Sequence, residues 1–132
     1  LPNVCSHGDF HPNNIRYDES GNVVGIFDHY TWMMRPRVYD LAYSLPFFCR
    51  ESRGKYKILP EKVKIYLDAY QSNCRGLSAE ELHILTLLAP FTQLPCPFHL
   101  KYTSKEETKS WFNFHEEIIQ HCFDYGGRYV FD

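Results

Sequence analysis

Apolar residues recur along this chain with two different periods, and the change from one to the other marks out its elements. Near the start the period is two. Ile15-Arg16-Tyr17 alternates, Val23-Val24-Gly25-Ile26-Phe27 is β-branched and apolar, and Asp18 to Asn22 between them is turn chemistry. That pattern predicts an antiparallel hairpin. With Tyr17 opposite Val23, Asn14 comes to lie near Ile26 at the open end. From Val38 onward the period is helical. Leu41, Ala42, Leu45 and Phe48 predict a helix over Val38–Phe48, in which Pro46 predicts a kink or an early end. Val63, Tyr66, Leu67 and Tyr70 form one apolar face over Pro60 to Asn73, with Pro60 at a favoured first-turn position.

Two S-x-x-E capping boxes open the remaining helices. Ser78 with Glu81 precedes a stripe of Leu82, Leu85, Leu88 and Ala89. Ser104 with Glu107 precedes a face of Trp111, His115, Ile118 and Cys122, which closes near Phe123 to Gly127. Pro90, Pro95 and Pro97 break up the segment between them. His29 to Arg37 and Arg50 to Lys57 show neither period and are expected to be loops, the second a basic, solvated one. The expected architecture is α+β and mainly helical, a small hairpin resting on roughly four helices.

Composition narrows the class. A chain of 132 residues with 44% apolar and 17% aromatic residues is expected to fold as a single domain with a sizeable core. A net charge of −2 gives no electrostatic footprint for nucleic acid or an anionic membrane. No apolar run approaches the ~20 residues needed to span a bilayer, and no signal peptide is seen. The five cysteines, Cys5, Cys49, Cys74, Cys96 and Cys122, are scattered and never spaced C-x-x-C, so reduced thiols in a cytoplasmic protein are expected. A chain starting at Leu1 rather than Met reads as a piece of something longer.

The chemistry concentrates in His7-Gly8-Asp9-Phe10-His11-Pro12-Asn13-Asn14 and in Asp28. The hairpin sets Asp28 just past the end at which Asn14 sits. An amide oxygen and a carboxylate brought together there can share a hard cation such as magnesium, which takes oxygen ligands and completes its shell with water and phosphates. Asp9 lies five residues before Asn14. That is the spacing of the protein-kinase catalytic loop, although Gly8 stands where protein kinases carry Arg.

The run HGDFHPNNI resembles the H-G-D-x-H-x-x-N signature of the aminoglycoside phosphotransferase and choline/homoserine kinase-like superfamily. GIFDH resembles its second motif, with His29 where an aromatic is usual, and RPRVYDLAYSL resembles its third. Together they cover about the first third of the chain. The resemblance implies the C-terminal lobe of a protein-kinase-like fold and ATP-dependent phosphoryl transfer to a hydroxyl of a small molecule. Asp9 would be the catalytic base, and Asn14 and Asp28 the Mg2+ ligands. His7 and His11 would support the catalytic loop, and Asp40 would anchor it from the following helix. The resemblance also sets 29–37 near the acceptor, where Tyr30 and Trp32, with Met33 and Met34, either line a pocket or pack the lobe.

A nucleotide-binding lobe needs a Gly-rich loop and a strand Lys paired with a helix Glu. Neither is recognisable in this chain, so the N-terminal lobe is expected to come from elsewhere in a longer protein and the fragment alone to be inactive. Two other readings stand beside the kinase. In one, His7, Asp9, His11, Asp28 and His29 cluster around zinc or manganese in a metal-dependent hydrolase. In the other, the chain is an inactive kinase-like binding module.

Overall fold

The computed structural model describes residues 1–94 and 103–126. In chain order the elements are β1 (Asn3–Ser6), β2 (Ile15–Tyr17), β3 (Val23–Ile26), β4 (Met33–Pro36), α1 (Val38–Phe48), β5 (Arg50–Ser52), β6 (Lys55–Ile58), α2 (Pro60–Asn73), α3 (Ala79–Thr92) and α4 (Lys105–Gly126). Single 3-10 turns lie at Pro12–Asn14 and His29–Thr31. The strands form three separate antiparallel pairs, β1 with β4, β2 with β3, and β5 with β6. The α+β class read from the sequence therefore holds.

The β2–β3 hairpin is closed by Asp18. Its side chain accepts from the Ser20 and Asn22 amides at 2.9 and 2.8 Å, and Gly21 takes a φ of +84°. Tyr17 pairs with Val23 as expected, but Val24 is then skipped, and Arg16 pairs with Gly25 and Ile15 with Ile26. This one-residue bulge corrects the expected Asn14–Ile26 proximity. Asn14 instead faces Phe27, whose amide donates to the Asn14 carbonyl at 2.8 Å, so Asn14 is one residue closer to Asp28 along β3.

Two segments read as loops contain strands. β4 pairs with β1 across some thirty residues of chain, Ser6 opposite Met33 and Asn3 opposite Pro36. β5 and β6 form a second hairpin in the basic stretch, turning at Gly54 with φ +82° and burying Ile58 to 2% exposure. β6 does alternate, with Tyr56 and Ile58 inward between Lys55 and Lys57, but only over four residues of a basic stretch, and the β1–β4 pair is largely exposed.

The core gathers Leu41, Ala42 and Leu45 of α1, Cys49, Ile58, Val63 of α2, Leu85 and Ala89 of α3, and Ile118 and Cys122 of α4. α1 runs to Phe48 without ending at Pro46, and α3 continues through Pro90 to Thr92. Each proline gives up one backbone bond but sits within three residues of its helix end, so little helix follows to be displaced. The α2 face packs as expected. Of the stripe expected on α3, Leu85 and Ala89 are buried and Leu82 and Leu88 half-buried. On α4, Phe114 also turns inward against Tyr56, with ring centroids 4.7 Å apart. The side chain of Trp111, residues 95–102 with Pro95, Cys96 and Pro97, and Gly127 lie outside the described residues. Cys5, Cys49, Cys74 and Cys122 are free thiols, and burial pushes Cys49 and Cys122 up to about 12, which keeps them protonated. Among the described residues no helix is long and apolar enough to cross a membrane.

One ion pair locks the entry of α1 to α3. Arg37 grips Glu81 with Nε and Nη2, both at 2.6 Å, and its other donors reach the carbonyls of Arg75 and Gly76. Glu81 also accepts from the Ser78 amide at 2.9 Å, completing the capping box. The Arg37 hydrogen bonds outweigh the cost of burial and, with the Ser78 bond, hold the Glu81 carboxyl down to about 2, below its ordinary 4.5. Because the folded pKa is depressed, this stabilisation is complete above pH 4.5 and is lost as pH falls towards 2. The loss amounts to up to about 3 kcal/mol. Denaturation midpoints measured across that window should fall with pH in the wild type and lose that component of the slope in Glu81→Gln.

Candidate active site

The loop after β1 is held from behind by one carboxylate. Asp40, in the first turn of α1, accepts from Ser6 Oγ at 2.7 Å, from the His7 amide at 2.7 Å and from the Gly8 amide at 2.8 Å. Gly8 has φ +80°, and a Cβ there would stand 2.9 Å from the Thr31 carbonyl oxygen, so a side chain is excluded twice over. Thr31 clasps the same loop by donating from Oγ1 to the His7 carbonyl at 2.5 Å.

His7 ties the loop to the hairpin. Its Nδ1 accepts from the Asp9 amide at 3.3 Å, which leaves Nε2–H to donate to the Phe27 carbonyl at 2.8 Å. Both ring nitrogens are therefore occupied. His11 is fixed in the same way. Its Nδ1 accepts from the Asn13 amide at 3.2 Å, and Nε2 faces Asp9 Oδ1 at 3.5 Å.

Asp9 is a half-buried carboxylate surrounded by donors. Tyr43 Oη donates to Oδ1 at 2.5 Å, and Asn14 Nδ2 donates to Oδ2 at 3.2 Å and to the Asp9 carbonyl at 2.8 Å. Burial by itself would raise the Asp9 pKa. The hydrogen bonds from His11 and Tyr43, the electrostatic pull of the His11 ring and the Asn14 amide prevail over it, so Asp9 ionises below its ordinary value. Sequence reading missed Tyr43. Its signal was the spacing from Asp40, since three residues on, along the same helix, a side chain returns to the same face.

The Asn14 amide group has its hydrogens turned to Asp9, which leaves its oxygen as the atom suited to a cation. Asp28 follows Phe27 out of the hairpin into the left-handed region, with φ +65° and ψ +57°, and is exposed. A non-glycine residue there carries strain of order 1–3 kcal/mol, and such positions cluster at functional sites. An amide oxygen and a carboxylate at one end of a hairpin are the donor types magnesium takes. The hydrolase ligand set does not assemble. Among the described residues no three His, Cys, Asp or Glu side chains converge to hold a metal ion, and His7 has no ring nitrogen left to offer.

Among the described residues, two clefts flank the loop. One, of about 550 Å³, is lined by Asp9, His11, Tyr43, Phe47, Arg50 and Arg53, together with Tyr56, Phe114 and His115. The other, of about 400 Å³, takes in His7, His29, Trp32 and Asp40. Trp32 packs edge-on against His29 at 4.7 Å and so lies on the second cleft rather than beside Asp9. Tyr30 falls in the His29–Thr31 turn, and its side chain lies outside the described residues.

Comparison with known proteins adds a family to this geometry. The model of the phosphotransferase enzyme family matches residues 1–82, well over half of the chain. The chain belongs to the phosphotransferase enzyme family. Homoserine kinases from two strains of Caulobacter vibrioides, NA1000 / CB15N and ATCC 19089 / CIP 103742 / CB 15, are each 30% identical to it over 89 residues, 67% of this chain. The chain spans only about a quarter of their length, 27%. The phosphotransferase match takes in the whole Asp9–Asn14–Asp28 region, the Asp40 anchor and the Arg37–Glu81 lock. Phe114 and His115, which wall the larger cleft, lie beyond it.

Proposed function

We propose that this chain is the catalytic and acceptor-binding lobe of an ATP-dependent small-molecule kinase with a protein-kinase-like fold, acting on a substrate hydroxyl. The nucleotide-binding lobe would come from the rest of a longer protein, and the fragment by itself is expected to be inactive. The observation that carries the reading is the ionised Asp9 carboxylate, aimed by Tyr43 and Asn14 at the mouth of a cleft, inside a chain of the phosphotransferase family. The curated relatives named homoserine kinase support an alcohol as acceptor.

In this reading Asp9 receives a hydrogen bond from the acceptor hydroxyl and points its oxygen along the line of transfer. Donors lower the Asp9 pKa, so it is a weak base; its main work is alignment, and it takes the proton as transfer completes. His7 fixes the loop to the hairpin, His11 and Tyr43 steady the carboxylate, and Asp40 anchors the loop to α1. Asn14 and Asp28 would hold Mg2+, which when bound supplies positive charge to the phosphate oxygens of ATP.

Metal dependence in the full-length protein tests this assignment. Asn14→Ala and Asp28→Asn should each raise the magnesium concentration needed for half-maximal ADP formation by about tenfold or more. Asparagine tolerates the left-handed backbone at position 28, so Asp28→Asn should leave the melting temperature near wild type. An unchanged magnesium requirement in both variants rejects the pair as ligands.

A further inference from the structure

The larger cleft carries two cations to which the roles proposed above give no part. Its lining carries one carboxylate, Asp9, and two guanidinium groups, Arg50 and Arg53. Neither arginine forms an ion pair among the described residues. The nearby Glu51 is engaged with Lys55, and Glu81 with Arg37. Arg50 is nevertheless held in place. Its guanidinium lies 5.7 Å from the Phe47 ring centroid and 5.6 Å from that of Tyr56. Its backbone pairs with the buried Ile58, and its carbonyl accepts from Lys62 Nζ at 2.8 Å. A guanidinium held at a cleft wall, with no carboxylate paired to it among the described residues, keeps its donors available to an anionic ligand. Around it stand the rings of Tyr43, Phe47, Tyr56 and Phe114, drawn from α1, β6 and α4.

We propose that this cleft takes an acceptor with a carboxylate on an apolar or planar body, the carboxylate held by Arg50 and Arg53 and the hydroxyl turned to Asp9. The role of the hydroxyl rests on the kinase reading above; the anion subsite does not. A guanidinium meets a carboxylate with two parallel N–H donors, and the contacts to Phe47 and Tyr56 hold that of Arg50 in place. The aromatic rings offer flat surfaces to the rest of the molecule. A polycationic acceptor would meet two like charges and a single carboxylate, so the same residues that select an acid exclude it.

The test uses the full-length protein and matched probes. These are 4-(hydroxymethyl)benzoate with its benzamide counterpart, L-homoserine with L-homoserinamide, and kanamycin as the polycation. Calorimetry gives Kd, and ADP formation gives KM and kcat. At least one acid is expected to bind ~10-fold or more tighter than its amide, and kanamycin to bind more weakly than either. Arg50→Met, which keeps the aliphatic stem, should erase the preference for the acid by raising its Kd and KM, while KM for ATP stays put. Arg53→Met, at an exposed position that carries little risk to folding, should change it in the same direction.

Equal binding of every acid and its amide overturns the proposal. So does a preference that survives both substitutions, a rise in KM for ATP in place of the acceptor, or no binding by any acid. The two readings fail separately. Acid-selective binding without ADP formation removes the kinase reading and leaves the anion subsite. ADP formation at equal rates from acid and amide does the reverse.

Discussion

Replacing Asp9 with asparagine in the full-length protein is expected to lower phosphoryl transfer by about 10²–10⁴-fold with little change in melting temperature. The two halves of that expectation have different sources. Asparagine has the size of aspartate and keeps one oxygen for the Tyr43 hydroxyl, which donates at 2.5 Å. The side chain is 24% exposed at a cleft wall, so no apolar packing is lost. What disappears is the negative charge and the second acceptor oxygen, the features that align a hydroxyl and take its proton. Single-turnover ADP formation and a thermal melt on one preparation separate the effects. Full activity would remove Asp9 from the chemistry. A loss matched by a fallen melting temperature would make it structural.

Asp40→Ala should destabilise the protein by roughly 3–5 kcal/mol, since a hydrogen bond to a charged group contributes about 1.5–3 kcal/mol and the three lost here share one carboxylate, so they add to less than their sum. The donors left behind are the hydroxyl of Ser6, which is fully buried, and the amides of His7 and Gly8. The helix end also loses a first-turn carboxylate, which favours the dipole of α1. Asp40→Asn should fall between the two, because its NH₂ group faces a donor where an oxygen stood. Hydrogen exchange gives the sharper readout. The His7 and Gly8 amides should exchange faster in Asp40→Ala, and transfer should fall with them because Asp9 is carried on the freed loop. Unchanged protection at both amides would show that another contact holds the loop.

The parts of this protein legible in its sequence are those governed by neighbours along the chain. The bounds of α1, the apolar face of α2, both capping boxes and the Asp18–Asn22 turn follow from period, caps and turn residues, which act within a few positions. The run from His7 to Asn14 was legible for the same reason, as a short motif at fixed spacing, and it pointed to the phosphotransferase family that residues 1–82 match. The misses share another cause. β4 carries no strand signal of its own, because its partner, β1, lies some thirty residues earlier and neither strand has a strong apolar face. β5 and β6 were hidden by their charge. The bulge at Val24 sets the register of the hairpin, yet nothing in Val23-Val24 distinguishes it from regular strand.

At the site, the sequence by itself determined which side chains are on hand, because spacing and residue type travel with the chain. The tertiary structure decided how they are used. It set Tyr43 on Asp9, closed His7 onto the Phe27 carbonyl, placed Trp32 in the smaller cleft and brought Phe114 of α4 opposite Arg50 and Tyr56 of the second hairpin. Each of these depends on buried donors finding acceptors and rings finding neighbours across long loops of chain, a condition that the fold satisfies as a whole and that no local window contains.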